Sequence, residues 1–184
     1  MPGAVITSGE RVTLRTVETE DIPFIQRAAA NPELRYTLGN PVMNREQYEI
    51  SDERNAPDQF LVCLESDEAD AVESDEADIT RIGQVSVADA HYKRPELGYW
   101  LIPEVHGEGY GKEAVSLVID YVFRTHDTPA VGAGVFDFND ASRGLLESLG
   151  FVEEGRQRKL MYVDGAHRDL IRYGLLREKW WTED

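Results

Sequence analysis

The sequence has little cysteine, little lysine and no long apolar run, and each shortage narrows what the protein can be. Cys63 is the single cysteine, so no internal disulfide can form, and a lone thiol in the apolar run 60–64 behaves as a small hydrophobic residue. No window holds the roughly 18 apolar residues that a membrane-spanning helix needs. Residues 1–10 lack the basic start and apolar run of a secretory signal. We therefore expect a cytoplasmic protein that does not span a membrane.

Basic residues are scarce as well. There are 19 against 35 acidic residues, the formal net charge is −16, and only four of the bases are lysine. Such a surface repels nucleic acid and anionic lipid, so we expect neither as a partner. The acids could attract a basic substrate, or they could form a halophilic surface that stays solvated in a very salty cytoplasm; the shortage of lysine favours the second interpretation. At about 1 M salt the Debye length is roughly 3 Å, which would nearly abolish long-range attraction.

The length of 184 residues and the apolar content of 41% fit one domain with a real core. We predict one domain over 1–184, interrupted by an acidic insertion at 65–78. There the hexapeptide Glu-Ser-Asp-Glu-Ala-Asp occurs twice, with eight acids, no base and one valine. This composition cannot offset the entropy of ordering, which indicates a hairpin loop. The loop has no glycine for the turns of a calcium site, and we predict no metal site.

Hydrophobic periodicity predicts alternating groups of strands and helices. The strands are expected at 11–15, 59–65, 81–89, 97–102, 130–136, 156–162 and 170–176. The helices are expected from a cap at Thr19 to about residue 30, and at 33–36, 44–54, 109–123 and 140–148. Asp164-Gly165 predicts a hairpin between the last two strands. The order indicates an α+β domain with a mixed sheet and no repeated βαβ units.

The stretch with the most chemical information is 97–114, where a strand leads into a glycine-rich loop that opens an amphipathic helix. Gly107, Gly109 and Gly111 have no Cβ, so their backbone can approach a bulky anion and adopt positive φ. The amides of 109–112 would be the unpaired first-turn donors of the helix, supported by its dipole. This arrangement predicts a phosphate site, although a glycine-rich turn without a ligand explains these residues alone equally well.

The spacing of the glycines excludes two common phosphate motifs. A Rossmann fingerprint needs G-x-G-x-x-G, whereas here the glycines alternate, and a P-loop needs Ser or Thr where Glu113 follows Lys112. The spacing instead resembles motif A of the GNAT N-acetyltransferase superfamily, [Q/R]-x-x-G-x-[G/A], which holds the pyrophosphate of coenzyme A. His106 stands at its first position, where the family has Gln or Arg.

Other segments resemble the ribosomal-protein N-acetyltransferase branch of that superfamily. They are 9–15 with Glu20 and Asp21, Asn139 and Ser142 with 149–151, and 163–165 with Asp169 and 175–180. The resemblance spans nearly the whole chain and leaves 65–78 as an insertion. It implies a GNAT fold, with a mixed, mostly antiparallel central sheet of about seven strands and helices on both faces.

The resemblance also implies roles for single residues. The backbone of Leu101 and the side chain of Asn139 would bind the pantetheine arm, and the amides of 107–112 would bind the pyrophosphate. The implied cofactor-binding residues are Leu101, His106, Gly107, Gly109, Tyr110, Gly111, Lys112 and Asn139. Ser142 takes the place where this branch has a hydroxyl near the departing sulfur. Many other members have a tyrosine acid at the position of Leu146, which excludes that acid here.

The chemistry of amine acetylation suggests one more residue. A primary amine must be neutral to attack a thioester, and a base helps to remove its proton. Glu96, just before Leu97, is where a carboxylate could face the acceptor amine; an ordinary acid at a strand end is the competing interpretation. His106 could bind phosphate, relay a proton or be a loop residue without a role.

The sequence thus predicts an acetyl-CoA-dependent N-acetyltransferase acting on a primary amine. Within the branch it resembles, that amine is the N-terminus of a protein or peptide. Two alternatives stay open: a small-molecule amine such as an antibiotic or polyamine, and a coenzyme A-binding sensor without catalysis. The absent Gln/Arg and tyrosine favour the sensor modestly. A homodimer is left open.

Overall fold

The computed structural model describes residues 3–39, 44, 46, 58–65, 79–90 and 93–181. The strands are β1 (Val5–Ser8), β2 (Thr13–Thr16), β3 (Asp58–Glu65), β4 (Ile79–Ala88), β5 (Glu96–Leu101), β6 (Ala130–Phe136), β7 (Val152–Val163) and β8 (Ala166–Leu176). The helices are α1 (Ile22–Ala30), α2 (Pro32–Leu38), α3 (Tyr110–Thr125), α4 (Asp140–Ser148) and α5 (Arg177–Trp180). Short 3-10 helices at Thr19–Asp21 and Pro103–Val105 lie between β2 and α1 and between β5 and α3. The described helices include none long and apolar enough to cross a membrane.

The strands form one sheet in the order β1-β2-β3-β4-β5-β6-β8-β7. All neighbours are antiparallel except β5 and β6, which are parallel. The predicted mixed, mostly antiparallel sheet is confirmed, with one strand more than expected. β1 was not predicted because it lies at the sheet edge with Val5 and Ile6 both exposed, so no alternation of buried and exposed residues marks it.

Helices cover both faces of the sheet, as predicted. On one face α3 packs its apolar side into the core, and Tyr99 of β5 reaches α4 through its hydroxyl. On the other face Phe24 of α1 packs against Trp100 of β5, with ring centroids 5.7 Å apart. Successive residues of a strand point to opposite faces, so β5 contacts both layers of helices.

The start of α1 differs from the prediction of a cap at Thr19. Thr19 begins a short 3-10 helix that Glu18 caps, where the Asp21 carboxylate accepts a hydrogen bond from the Glu18 N–H at 2.9 Å, and Asp21 is the cap residue of α1. Asp21 is fully buried and also accepts from Arg81 Nε of β4 at 2.5 Å. This ion pair fixes the beginning of α1 on the sheet.

The short helix α2 begins as the sequence predicts. The Asn31 side chain accepts from the Glu33 N–H at 3.0 Å and Pro32 occupies the first helical position. The helix ends at Gly39, which has φ of 67°. The predicted helix at 44–54 and the predicted insertion at 65–78 lie outside the described residues, apart from 44, 46 and Glu65, which is the last residue of β3 and not part of a loop.

Candidate active site

The parallel strands β5 and β6 are paired only where they begin. The Cα partners are Glu96 with Gly132 and Leu97 with Ala133. Beyond these pairs β5 continues beside β4 and β6 continues beside β8, so the two strands diverge and leave a gap in the sheet. Backbone groups that face such a gap have no partner in the sheet and are available to a ligand.

A cavity of about 350 Å³ lies at this gap. Its wall is built by the diverging parts of β5 and β6, the start of α4, the end of α2 and single residues of β4 and β8. The lining residues are Thr37, Leu38, Gln84, Ser86, 97–100, 134–136, Asn139, Ser142 and Leu170. None of these lining residues carries a formal charge, so the described wall is polar and apolar but neutral.

Asn139 and Ser142, both predicted site residues, meet in this wall. The Asn139 side chain accepts from the Ser142 N–H at 3.1 Å and caps α4. Because Asn139 is the cap, Ser142 has no capping role, and its hydroxyl belongs to the cavity wall. The Asn139 amide NH₂ can still donate to a ligand.

Tyr99 is a site residue that the sequence analysis missed. Its hydroxyl donates to the Ser142 carbonyl oxygen at 3.3 Å. Burial raises the pKa of Tyr99 to about 12, an effect that the Ser142 side chain opposes and nearby Tyr173 adds to. The phenol is therefore a neutral donor at physiological pH. The alternation of Leu97, Tyr99 and Leu101 could have placed it on the α4 face, but not beside Ser142.

Glu96 does not line the cavity. Its carboxylate accepts from Arg172 Nη2 of β8 at 2.6 Å and lies 3.8 Å from Arg94 Nη2. The side chain lies over Gly132 of β6, where an added Cβ would be 2.7 Å from Glu96 Oε1. The structure thus places Glu96 in an ion-pair cluster beside the cavity. Arg172, its partner, was not foreseen from the sequence.

The glycine-rich loop has the conformation that its sequence requires. Gly107 and Gly109 have φ of 84° and 87°, and Gly109 is the cap residue of α3. No side chain caps this helix, so its first-turn amides, from Tyr110 to Lys112, are not bound by a capping group. A Cβ added to Gly107 would meet no atom within 4 Å, which shows open space in front of the loop.

Arg11 and Glu113, also missed as site residues, fix this loop to the connection between β1 and β2. Arg11 Nη1 donates to the Glu108 carbonyl oxygen at 2.9 Å, and its guanidinium lies 4.8 Å over the Tyr110 ring. Glu113 accepts from the backbone N–H groups of Arg11 and Val12 at 2.7 and 3.2 Å. Burial tends to raise the pKa of Glu113, but backbone donors and the Arg11 charge outweigh it, so the pKa is lowered.

The remaining predicted cofactor residues join β5 to the loop. His106 Nε2 lies 2.9 Å from the Leu101 carbonyl oxygen, and because a carbonyl only accepts, Nε2 carries the hydrogen. A Cβ added to Gly111 would lie 3.5 Å from Leu101 Cδ1, so the strand end and helix start are neighbours. The Lys112 side chain is exposed at the first turn of α3. None of these residues lines the cavity.

The sequence of the chain also matches a known protein family. A family model for the acetyltransferase (GNAT) domain matches residues 11–152, which include both the loop and the cap of α4. The chain belongs to the GNAT acetyltransferases. It is an N-acetyltransferase that uses acetyl-CoA as the acetyl donor, which confirms the predicted family, enzyme class and cofactor.

Three known proteins illustrate how this GNAT chain relates to others. It is 29% identical, over 94% of its length and 93% of the relative's, to the SPbeta prophage-derived uncharacterized N-acetyltransferase YokL of Bacillus subtilis (strain 168). Spermidine N-acetyltransferase from Vibrio cholerae, in complex with CoA and spermine, gives a TM-score of 0.78 at 23% identity, covering 94% of this chain and 99% of that one. RimL, a ribosomal L7/L12 alpha-N-protein acetyltransferase in complex with coenzyme A, gives a TM-score of 0.76 at 17% sequence identity. The match covers 96% of this chain and 99% of that one. At these identities the two structures show the fold alone.

The GNAT site fits acetyl-CoA by its own geometry. Gly107 has an open face that a Cβ would enter, the α3 amides carry no capping side chain, and β5 diverges from β6. Amides bind phosphate oxygens well at a helix start. The loop amides would hold the pyrophosphate, and Leu101 and Asn139 would hold the pantetheine arm, which leads toward Ser142 and Tyr99.

Proposed function

We propose that this GNAT enzyme acetylates the N-terminal α-amine of a protein or peptide. The observation that carries the proposal is the neutral lining of the cavity between β5 and β6. A polyamine carries several ammonium groups, and a buried ammonium without a carboxylate partner is strongly destabilised. An α-amine has a pKa of about 7.7–8.0, so part of it is neutral at pH 7 and needs no such partner.

Hydroxyl groups of the cavity suit a neutral amine. Thr37 donates its hydrogen to the backbone carbonyls of α2, and Ser86 donates to the Gly98 carbonyl oxygen at 3.4 Å. Because these hydrogens are already used, both oxygens can present lone pairs to the cavity and accept from the N–H groups of an amine or a peptide. Such acceptors orient an amine without requiring it to be charged.

The transfer itself needs proton control at two places. Acetyl-CoA, when bound, supplies the activated thioester carbonyl. Ser142 lies at the α4 end of the cavity, where its hydroxyl can donate to the departing sulfur, and the Tyr99 phenol can do so when it leaves the Ser142 carbonyl oxygen. The attacking nitrogen loses one proton as the sulfur takes one up, and because the described lining has no carboxylate, the nitrogen's proton would pass to solvent. The neutral fraction of the acceptor amine would therefore set the rate at low pH.

A matched pair of peptides tests the proposal. The first peptide has a free N-terminal amine and one internal lysine, and the second is the same peptide with its N-terminus blocked. After incubation with acetyl-CoA, mass spectrometry should find one acetyl group on the α-amine of the first peptide and none on the second. The lysine should be spared because its pKa of about 10.4 keeps it protonated. Equal acetylation of the lysine in both peptides contradicts the proposal.

A further inference from the structure

One arginine, Arg168, lies next to the rim of the neutral cavity, although it is not one of the lining residues. Arg168 and Leu170 lie two residues apart on β8, so their side chains share a face of the sheet, and Leu170 lines the cavity. The Arg168 guanidinium lies 4.9 Å over the Phe138 ring. Phe138 in turn stacks on Phe136, another lining residue, with centroids 5.7 Å apart and planes 5° from parallel.

The opposite side of this rim is formed by the end of α2 and by β7. Met161 of β7 is the register partner of Arg168. A Cβ added to Gly39 would lie 2.9 Å from the Phe136 ring and 3.7 Å from Met161 Cε. The end of α2, β7 and β8 therefore meet next to Phe136, at the edge of the cavity on the side of Arg168.

Arg168 differs from the other arginines on this face of the sheet. Arg172 is paired with Glu96, and Arg94 with Glu154 at 2.6 Å. Among the described residues Arg168 has no carboxylate partner, and its Nε is buried without a hydrogen-bond acceptor. Asp137 Oδ1 is also buried without a partner, but no ion pair joins it to Arg168. Among the described residues, the charge of the Arg168 guanidinium is therefore not neutralised by an acid of this chain.

We propose that Arg168 binds a carboxylate that the acceptor carries close to its amine. A guanidinium presents a planar fork of donors that matches a carboxylate, and its stacking on Phe138 holds that fork in place. The carboxylate can come from an Asp or Glu side chain near a peptide N-terminus or from the α-carboxylate of a free amino acid. This inference rests on the proposed transfer to an α-amine and specifies which acceptors are preferred.

Peptides that differ in one group test the proposal at fixed ionic strength. In the first pair, one peptide begins with Ser-Glu and the other with Ser-Gln. The second pair is free serine and serinamide. We expect kcat/KM for Ser-Glu to exceed that for Ser-Gln by roughly tenfold or more, the range of a charge-assisted hydrogen bond. A preference for serine over serinamide, without one between the peptides, would assign the carboxylate to the amino acid.

Variants show whether the preference depends on Arg168. Arg168→Met should lower kcat/KM for Ser-Glu to the Ser-Gln level and leave Ser-Gln within about threefold. Arg168→Lys should keep part of the preference because it keeps the charge. Arg158→Met is the matched control, since Arg158 is an exposed base of the same hairpin outside the cavity, and it should keep the full preference.

Binding measured without turnover distinguishes the loss of a contact with the carboxylate from a folding defect. Calorimetric titration of the peptides into enzyme saturated with coenzyme A should show the same loss of preference for Arg168→Met at an unchanged melting temperature. If wild-type binding and turnover are equal for Ser-Glu and Ser-Gln and are also equal for serine and serinamide, the inference is overturned and the proposed function stays intact. Failure to acetylate any α-amine overturns the proposed function instead.

Discussion

At the scale of single residues, the described cavity wall offers hydroxyl groups and no carboxylate. Leu146, at the position where the resemblance would put a tyrosine acid, is fully buried. Tyr99 brings a phenol to the first turn of α4 from β5 instead. Glu96, the carboxylate that was expected to face the amine, is paired with Arg172. We therefore propose that hydroxyl groups, and not Glu96, carry the proton chemistry of the described cavity.

Tyr99→Phe tests the phenol as a donor. We expect kcat to fall about tenfold, less than the usual effect of a general acid, because a coenzyme A thiolate leaves reasonably well and Ser142 remains. Acetyl-CoA affinity should be unchanged, and Ser142→Ala should lower kcat less. Since its pKa is about 12, Tyr99 should also cause no loss of rate up to pH 10. A lower melting temperature with an unchanged kcat would make the phenol purely structural.

Glu96→Gln shows whether Glu96 acts as a general base or only as the ion-pair partner of Arg172. The structure predicts less than about a tenfold loss of turnover and a melting temperature lower by about 2–5 °C, because Arg172 loses its partner. Arg172→Met serves as the control and should have a similar effect on stability. A loss of 10²–10⁴-fold at unchanged stability, which is the range for a lost general base, would restore the role predicted from the sequence.

At the scale of elements, local signals predicted well and long-range ones did not. β6 and α4 have the predicted bounds, and the turn at Asp164-Gly165 forms because both residues take positive φ. The glycine loop was also recognised, because its signal lies within a few residues. The divergence of β5 from β6 depends on the register of strands about thirty residues apart, and the contact of Tyr99 with Ser142 depends on that divergence. No local pattern encodes either.

The loop before α3 can be tested with a pair of matched glycine variants. Gly107→Ala and Gly165→Ala both place a Cβ at positive φ with no atom within 4 Å, so both should lose a similar amount of stability, about 1–2 kcal/mol. Only Gly107→Ala should weaken acetyl-CoA binding, seen as a smaller rise in melting temperature on adding acetyl-CoA. Equal ligand-induced shifts in the two variants would place the pyrophosphate elsewhere.

Glu113 connects α3 to the segment between β1 and β2, and its titration predicts a pH dependence. A carboxyl with a lowered folded-state pKa stabilises the fold above its ordinary value of 4.5 and loses that contribution as pH falls through the folded value. Glu113→Gln should therefore lower the melting temperature at pH 7, and the difference should shrink below pH 4.5. Glu108→Gln, an exposed acid of the same loop, should show no such effect; a pH-independent difference for Glu113→Gln would refute the assignment.

At the scale of the whole molecule, the strongly negative net charge is not found in the described lining of the cavity. The chain carries −16, yet the described cavity wall is neutral and the rim residue Arg168 is positive. Net charge acts over long distances and is screened by salt, whereas the acceptor is selected by the groups it touches. The acidic composition therefore gives no reason to expect a polycationic acceptor.

A competition experiment tests whether the enzyme prefers a peptide α-amine to a polyamine. A peptide with a free N-terminal amine and spermidine, at equal concentrations, share limiting acetyl-CoA, and mass spectrometry quantifies both products. We expect the peptide to receive the acetyl group with at least about tenfold preference, a difference of about 1.4 kcal/mol between the competing transition states. Predominant acetylation of spermidine would contradict it.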